Sequence, residues 1–373
     1  MASDHLNELR RKVGQLFIVD LDGKAPSSDI RRWLANFRPG GIILRDINYE
    51  SPRQLAEFIS FIQTSDQEVP LFITVDQEGG RVNRLKTPFT QFPAAADLGK
   101  LGSDVYAFRV GLALGRELTA VGINMNMAPV LDVNTNPLNP VIGDRSFGNN
   151  PKLVATLGAA YMHGLDTAGL VAVGKHFPGH GDTALDSHIT LPKVEANNRR
   201  LNRVELRPFR TVIEQKISAL MTGHVVYTAW DKDSPATLSP YIISRILRKK
   251  LGFTGLVISD DLTMGAIMEN YSIERASLAA VEAGVDVLLI CSGKWAYERA
   301  FNTLLKAFEK RELDPERLFI SLGRVLKLKS RIVKGKDKPR LDLNAIGGAE
   351  QTQLVAELTR EIEKKRLRLP RAL

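Results

Sequence analysis

Short apolar runs alternate with amphipathic stretches along most of the chain. Strands separated by helices are typical of a parallel sheet with crossover helices. Eight such strands are the number that closes a barrel, so we predict an α/β fold, a single (β/α)8 TIM-type barrel with a C-terminal helical extension. The apolar runs are QLFIVDL (15–21), GGIILR (40–45), PLFITVDQ (70–77), INMNMAPVLDV (123–133), GLVAVGKHF (169–177), ISALMTGHVV (217–226), GLVISDD (255–261) and VDVLLICS (285–292).

The stretches between these runs carry helix signals. The apolar residues of RQLAEFISFIQ (53–63) and SPYIISRILRKKLG (239–252) each fall on one helical face. Asn150, Ser239 and Ser272 precede helical stretches and are the predicted N-caps.

The domain organisation follows from the same pattern. No internal repeat and no low-complexity linker interrupt the alternation before about Arg331. We therefore predict a barrel catalytic domain over residues 1–335. Residues 336–373 are predicted to form a charged C-terminal extension, which we expect to be helical.

Composition and charge narrow the classes of partner. The 373 residues are 44% hydrophobic and 25% charged, which is typical of a folded globular protein. Much of the net charge of +9 comes from two C-terminal stretches, 327–340 and 361–373, where basic residues mix with acids and no aromatic residue is interleaved. This pattern favours a solvated surface over a nucleic-acid interface.

The number of cysteines and the lengths of the apolar runs predict the cellular compartment of the protein. Cys291 is the single cysteine, so the sequence has no pair for an intramolecular disulfide. The N-terminal stretch shows no apolar core of a signal peptide, and no apolar run approaches the ~20 residues of a membrane span. We expect a cytoplasmic protein without membrane or nucleic-acid partners. The oligomeric state stays open, with a monomer favoured.

Polar residues follow seven of the eight apolar runs. In a TIM barrel the active site lies at the carboxyl ends of the strands, so these positions predict where it is. In chain order they are Asp20 and Asp22; Arg45 and Asp46; Asp76, Glu78 and Arg81; Asp132; Lys175 and His176; His224; and Asp260 and Asp261.

The segment KHFPGHGDTALDSH (175–188) is the richest in chemistry. Four of the six histidines lie between His176 and His224. In the Asp186-Ser187-His188 sequence a carboxylate stands beside an imidazole, an arrangement that orients the ring and raises its proton affinity in acid/base dyads. The alternative interpretation is a surface loop whose Asp caps a turn.

Two other chemistries fit the segment less well. His176, His180 and His188 suggest a metal-dependent hydrolase, but the intervening Pro and Gly prevent the single helical face that zinc motifs of the HExxH type use. We therefore expect no metal and no other cofactor. A serine hydrolase would use Ser187 or Ser259, and neither lies in a G-x-S-x-G elbow.

Four motifs, taken in order, resemble glycoside hydrolase family 3, and within it the bacterial β-N-acetylhexosaminidases of peptidoglycan recycling. They are VDQEGGRVNRL (75–85), GDRSFG (143–148), KHFPGHGDTALDSH (175–188) and VISDDLTMGAI (257–267). The resemblance covers roughly the first 330 residues. Family 3 β-glucosidases lack the long histidine motif and usually carry a second domain with their acid/base carboxylate.

The resemblance implies a role for each motif. Asp260 corresponds to the catalytic nucleophile, His188 to the acid/base and Asp186 to its dyad partner. The adjacent Asp261 competes with Asp260, because neighbouring strand residues point to opposite sides. The implied substrate contacts are Asp76, Arg84, Arg145, Lys175 and His176.

The implied activity is that of a retaining exo-β-N-acetylglucosaminidase. The implied substrate is N-acetylglucosamine β-1,4-linked to 1,6-anhydro-N-acetylmuramic acid, with or without attached peptide. An ordinary imidazole titrates near pH ~6.5 and can both give and take a proton at neutral pH, which suits a histidine acid/base. Phosphorolysis and a non-catalytic sugar-binding barrel stay open as alternatives.

Overall fold

The computed structural model of the protein describes residues 2–65, 69–291, 293–334 and 342–368. Eight parallel strands pair in chain order and close into a barrel. Each predicted apolar run contributes one strand, so the predicted (β/α)8 fold is confirmed. The strands are β1 (Phe17–Asp20), β2 (Gly41–Leu44), β3 (Phe72–Val75), β4 (Met125–Asn126), β5 (Val171–Phe177), β6 (Ala219–Thr222), β7 (Leu256–Asp261) and β8 (Val287–Ile290).

Helices surround the barrel, and a π-helix, Tyr241–Lys250, follows β6. Asn150 and Ser272 cap their helices through side-chain oxygens, as predicted. The Ser239 hydroxyl accepts from the backbone N–H of Ile242 at 3.3 Å at the start of the π-helix. The α-helices are α1 (Ala2–Gly14), α2 (Ser28–Phe37), α3 (Pro52–Gln63), α4 (Ala95–Leu101), α5 (Asp104–Ala120), α6 (Pro151–Thr167), α7 (Asn198–Arg203), α8 (Leu206–Glu214), α9 (Gly265–Met268), α10 (Ile273–Ala283), α11 (Gly293–Glu309), α12 (Pro315–Lys334) and α13 (Ala349–Arg368).

Strand β4 is much shorter than the apolar run 123–133 that predicts it. Pro129 has no N–H to donate to a ladder, and the chain leaves the regular strand before it. Beyond the proline, Val130 pairs with Lys175 of β5 through an isolated bridge. The segment after β4 therefore runs beside the end of β5 and brings Asp132 next to it.

The two ends of the barrel differ. Inside the barrel, apolar strand residues such as Ile18 and Phe72 form one cluster with Val325, Leu328 and Ile332 of α12. The Lys329 ammonium of the same helix lies 5.1 Å from the Phe72 ring, at the amino end of β3. Helix α12 therefore closes the amino end of the barrel, and the carboxyl end is left for a site.

The C-terminal segment packs against the outside of the barrel. Glu357 of α13 accepts two hydrogen bonds from Arg109 of α5, at 3.0 and 2.9 Å. The predicted boundary between residues 335 and 336 lies outside the described residues. Within the described part of the chain, no helix is both long enough and apolar enough to cross a membrane.

A buried carboxylate, Asp286, joins β7 to the helices at the amino end of the barrel. It accepts from the backbone N–H of Val257 at 2.9 Å and from the guanidinium groups of Arg248 at 2.5 Å, Arg317 at 2.8 Å and Arg324 at 2.7 Å. The carboxylate is fully buried, whereas the three arginines keep 15–26% of their side-chain surface exposed. The strand that ends in Asp260 is thus anchored at its start.

We expect Asp286→Asn to lower the free energy of unfolding by about 3–5 kcal/mol, because it leaves three largely buried guanidinium groups without their counter-charge. Urea unfolding followed by circular dichroism measures the change. The matched control is Asp29→Asn, which removes an exposed ion pair with Arg32 and should leave the free energy of unfolding nearly unchanged. A loss below about 1 kcal/mol in Asp286→Asn would contradict this role.

Candidate active site

A cavity of about 730 Å³ opens at the carboxyl end of the barrel. It is the place where a TIM barrel builds its active site. All of the residues that the sequence assigned to catalysis or substrate binding line this one cavity: Asp76, Arg84, Arg145, Lys175, His176, Asp186, His188 and Asp260.

A network of alternating charges forms one wall of the cavity. The Lys175 ammonium lies 2.7 Å from Asp76 Oδ1 and 2.7 Å from Glu78 Oε1. Arg145 donates to both oxygens of Glu78, at 2.9 and 2.8 Å, in a bidentate pair. Asp76 keeps 26% of its side chain exposed, whereas Lys175 and Glu78 are buried. Asp76 is therefore the member of the network best placed to meet a ligand.

The network favours the ionised forms of Glu78 and Lys175. Burial raises the pKa of Glu78, but the charges of Arg145 and Lys175 together lower it by more. The net pKa therefore lies well below its ordinary value. Burial lowers the pKa of Lys175, yet Asp76 and Glu78 raise it above its ordinary value. The wall thus presents a fixed set of charges to a polar substrate.

A second buried carboxylate, Asp132, organises the end of β5. One of its oxygens accepts from the backbone N–H groups of His176 at 3.1 Å and His180 at 2.6 Å. Its other oxygen lies 2.7 Å from His176 Nδ1. Burial raises the pKa of Asp132, but the neighbouring His176 ring lowers it to a value below the ordinary one. The ionised carboxylate accepts from Nδ1–H, which leaves Nε2 of His176 available to a ligand.

Asp186 and His188 form the predicted contact on the loop after β5. Asp186 Oδ1 accepts from the backbone N–H of His188 at 2.8 Å and lies 2.8 Å from His188 Nδ1. The His188 side chain is 61% exposed and that of Asp186 31%. The carboxylate contacts the Nδ1 edge of the ring, and Nε2 remains free for proton transfer within the cavity.

The loop docks on the turn that follows β7. The backbone N–H of Gly265 donates to the carbonyl of His188 at 3.0 Å, and that of Ala266 donates to the carbonyl of Ser187 at 3.1 Å. A Cβ added at Gly265 would lie 2.5 Å from the Ile189 carbonyl oxygen and 2.6 Å from that of His188. Only glycine permits so close an approach.

His180 and Ser187 tie the loop to its own base. His180 Nε2 lies 2.8 Å from Ser187 Oγ, and Nδ1 lies 2.9 Å from Thr183 Oγ1. Burial, together with the nearby His176, lowers the pKa of His180 to about 4. In a Ser-His-Asp hydrolase a carboxylate would contact His180 Nδ1, whereas here the Thr183 hydroxyl does so. A metal ion would bind a ring nitrogen without another partner, and both nitrogens of His180 have one. Among the described residues, no group of three or more His, Cys, Asp or Glu side chains is arranged to hold a metal ion.

The two adjacent carboxylates at the end of β7 have different surroundings. Asp261 Oδ1 accepts from the N–H of Thr263 at 3.0 Å, from its hydroxyl at 2.7 Å and from the N–H of Cys291 at 3.1 Å. Asp260 Oδ1 accepts from the N–H of Asp261 at 2.8 Å. Asp261 therefore braces the strand ends, whereas Asp260 is less occupied by the protein.

The pKa values of the two carboxylates shift in opposite directions from the ordinary value. Burial raises the pKa of Asp260, but His176, His224 and the N–H of Asp261 lower it to a value below the ordinary one. Burial raises the pKa of Asp261, and its hydrogen bonds with Thr263 do not offset this. Both carboxylates line the cavity, and Asp260 is the one whose pKa is lowered.

Two further residues of the motifs are placed by the structure. Arg84 lies at the mouth of the cavity, 42% exposed and 3.8 Å from Asp46. Asp182 accepts from the Thr135 hydroxyl at 2.8 Å and from Arg200 at 2.6 Å, so it holds the loop against α7. It is absent from the residues that line the cavity.

Several organising residues had no assigned role in the sequence. The sequence predicts Glu78 and Asp132 only as polar residues after strands, and it predicts no role for Gly265. For the carboxylates, the signal was an acidic residue at the end of a buried strand, where an unpaired charge is costly. Gly265 stands in the quoted motif VISDDLTMGAI, but its contact with the loop depends on the folded chain.

Comparison with known proteins relates this site to a family. Residues 8–328 match the model of the glycosyl hydrolase family 3 N-terminal domain. Beta-hexosaminidase A of Pseudoalteromonas piscicida is 34% identical over 389 residues, an alignment that covers 93% of this chain and 65% of that protein. The chain thus spans slightly less than two thirds of the length of this relative.

Solved structures give the same result. A glycoside hydrolase family 3 β-N-acetylglucosaminidase from Paenibacillus sp. str. FPU-7 has a TM-score of 0.89 at 40% identity, covering 95% of this chain and 68% of that one. NagZ from Neisseria gonorrhoeae, in complex with N-trifluoroacetyl-D-glucosamine, has a TM-score of 0.76 at 31% identity, covering 91% of this chain and 97% of that one. The predicted resemblance is confirmed, and the chain belongs to glycosyl hydrolase family 3.

Proposed function

We propose that the protein is a retaining exo-β-N-acetylglucosaminidase that forms a covalent glycosyl-enzyme on Asp260 and uses His188 as its acid/base. The observation that carries the proposal is the meeting of an ionised Asp260 with the Asp186–His188 pair in one cavity. Membership of family 3 and similarity to proteins named β-hexosaminidase and β-N-acetylglucosaminidase support it.

The first step needs a nucleophile and an acid. Asp260 attacks the anomeric carbon through an oxocarbenium-like transition state while His188 protonates the leaving oxygen, so the glycosidic bond breaks as the glycosyl–aspartate bond forms. In the second step His188 takes a proton from water, which then displaces Asp260 and releases the sugar. Asp186 fixes the His188 tautomer and stabilises the imidazolium formed in the second step.

The wall of charges serves to hold the sugar. Asp76, the partly exposed member of the network, accepts from sugar hydroxyls, and Lys175 and His176 donate to them. Arg145 donates from Nε and Nη2 to Glu78 and from Nη1 to the Val141 carbonyl, so we assign it to orienting this wall. Fixed polar groups of this kind position the anomeric carbon for attack.

For the substrate we propose N-acetylglucosamine β-1,4-linked to 1,6-anhydro-N-acetylmuramic acid, with or without peptide. Arg45, Arg81 and Arg84 line the cavity with 42–48% of their side chains exposed, which suits an acceptor that carries carboxylates. The lone thiol of Cys291 fits the cytoplasm, where we place the enzyme. The similarity to NagZ from Neisseria gonorrhoeae is in line with this proposal.

The nucleophile is tested by trapping. A 5-fluoro glycosyl fluoride should leave a covalent sugar on the peptide that contains β7, and fragmentation should place it on Asp260. Asp260→Asn should lower kcat by roughly 10⁴-fold on every substrate, because it removes the group that forms the intermediate. The adjacent Asp261→Asn is the comparison, and a sugar found on Asp261 would overturn the assignment.

The acid/base is tested with two leaving groups. In His188→Ala, release of N-acetylglucosamine from the anhydromuramyl disaccharide should fall by roughly 10²–10⁴-fold, and that from the 4-nitrophenyl glycoside much less, because nitrophenolate leaves without a proton. Initial rates of sugar release measure both. His163→Ala, on α6, is the control and should match the wild type. Equal losses on both leaving groups would rule out the acid role, and a wild-type enzyme inactive on the disaccharide would overturn the proposed substrate.

The docking of the loop is tested at Gly265. Gly265→Ala places a methyl group against the carbonyls of His188 and Ile189, which should displace the loop and lower kcat by roughly 10²-fold. Gly323→Ala in α12 is the matched control, since no atom lies within 4 Å of a Cβ added there. Steady-state kinetics and thermal unfolding are measured for both. A fully active Gly265→Ala protein would show that the observed docking is dispensable.

A further inference from the structure

A second large groove lies on the outside of the barrel, beside α7 and α8. It has a volume of about 970 Å³. Five arginines and one acidic residue, Glu214, are among the residues that line it: the arginines are Arg199, Arg200, Arg203, Arg207 and Arg210. Such a concentration of one charge is costly in the empty groove and favours a bound anion.

Among the described residues, acidic side chains pair with one of these arginines. Arg200 pairs with Asp182 at 2.6 Å and with Glu205 at 3.4 Å. Within the part of the chain that the structure describes, the guanidinium groups of the other four form no hydrogen bond, ion pair or ring contact: Arg199, Arg203, Arg207 and Arg210. Four guanidinium forks are therefore available to a ligand.

The spacing of the four suits a ligand with several charges. Arg199 and Arg203 are four residues apart on α7, and Arg207 and Arg210 three apart on α8, so each pair is separated by about one helical turn. A single oxyanion occupies one or two guanidinium groups. Four groups in a groove of about 970 Å³ call for more than one anionic group on the same ligand.

The rest of the lining narrows the class of ligand. Among the described lining residues no aromatic side chain is present on which a nucleobase would stack, and the apolar ones are Val204 and Pro151. The groove therefore offers charge and hydrogen bonds rather than apolar contact. Guanidinium forks match phosphate and carboxylate oxygens in a bidentate manner.

We propose that the arginine groove is a second ligand site of the protein, which binds a small, multiply charged oxyanion through Arg199, Arg203, Arg207 and Arg210. The charges of the ligand are carried by phosphate or carboxylate groups. The site is independent of the catalytic cavity, because the two cavities share no lining residue.

Tripolyphosphate and citrate are the probes, titrated calorimetrically into the full chain in 0.15 M salt. We expect Arg203→Gln/Arg207→Gln to weaken binding at least about tenfold, because hydrogen bonds to charged groups contribute strongly. The control, Arg53→Gln/Lys306→Gln, removes two exposed charges on α3 and α11 and should stay within about twofold of the wild type. Tighter binding of one probe identifies phosphate or carboxylate as the preferred group.

Hydrolysis of the 4-nitrophenyl glycoside should be unchanged in the groove variant, which shows that it is folded. Two results would overturn the proposal. One is that neither probe binds the wild type in 0.15 M salt. The other is that the groove variant binds as tightly as the wild type, because the anion would then occupy another cationic surface, such as the catalytic cavity.

Discussion

The arrangement of the site depends on one buried carboxylate, Asp132. It lies in the irregular segment after β4 and binds the backbone of both His176 and His180, with a further contact to the His176 ring. An ionised carboxylate without water is stable only when such donors surround it. The end of β5 and the base of the following loop are therefore held together, and the orientation of the His176 ring follows from the same contact.

In the charged wall of the cavity, too, each buried charge needs partners that stabilise it. Burial lowers the pKa of Lys175, but the charges of Asp76 and Glu78 raise it above its ordinary value. Arg145 completes the balance by its two bonds to Glu78. Each charge is thus stabilised by the next, and Asp76 is the most exposed of the four side chains. Removing any member leaves a buried charge with fewer counter-charges, which destabilises the wall.

Much of the fold could be predicted from the sequence, since each buried parallel strand lies in a short apolar run and helices such as α6 and α10 begin at a capping residue. The shortness of β4 could have been inferred from Pro129. The eight assigned site residues do share a cavity, because strand ends of a closed barrel converge. The contacts among them could not be predicted: Asp132 meets residues 44 and 48 positions away, and Arg145 meets Glu78 67 positions away. Such pairs depend on how far each loop folds back, which local patterns do not encode.

The end of β7 and the turn after it contact both proposed catalytic residues, Asp260 and His188. Asp261 braces the strand end through Thr263 and Cys291, whereas the neighbouring Asp260 accepts from the N–H of Asp261. A few residues on, the backbone of Gly265 binds the carbonyl of His188 itself. The short turn between Asp260 and Gly265 therefore links the two proposed catalytic residues through main-chain contacts. The Asp186–His188 pair lies on a loop with its side chains exposed. Its position is held by the main-chain hydrogen bonds that Gly265 and Ala266 donate to the loop.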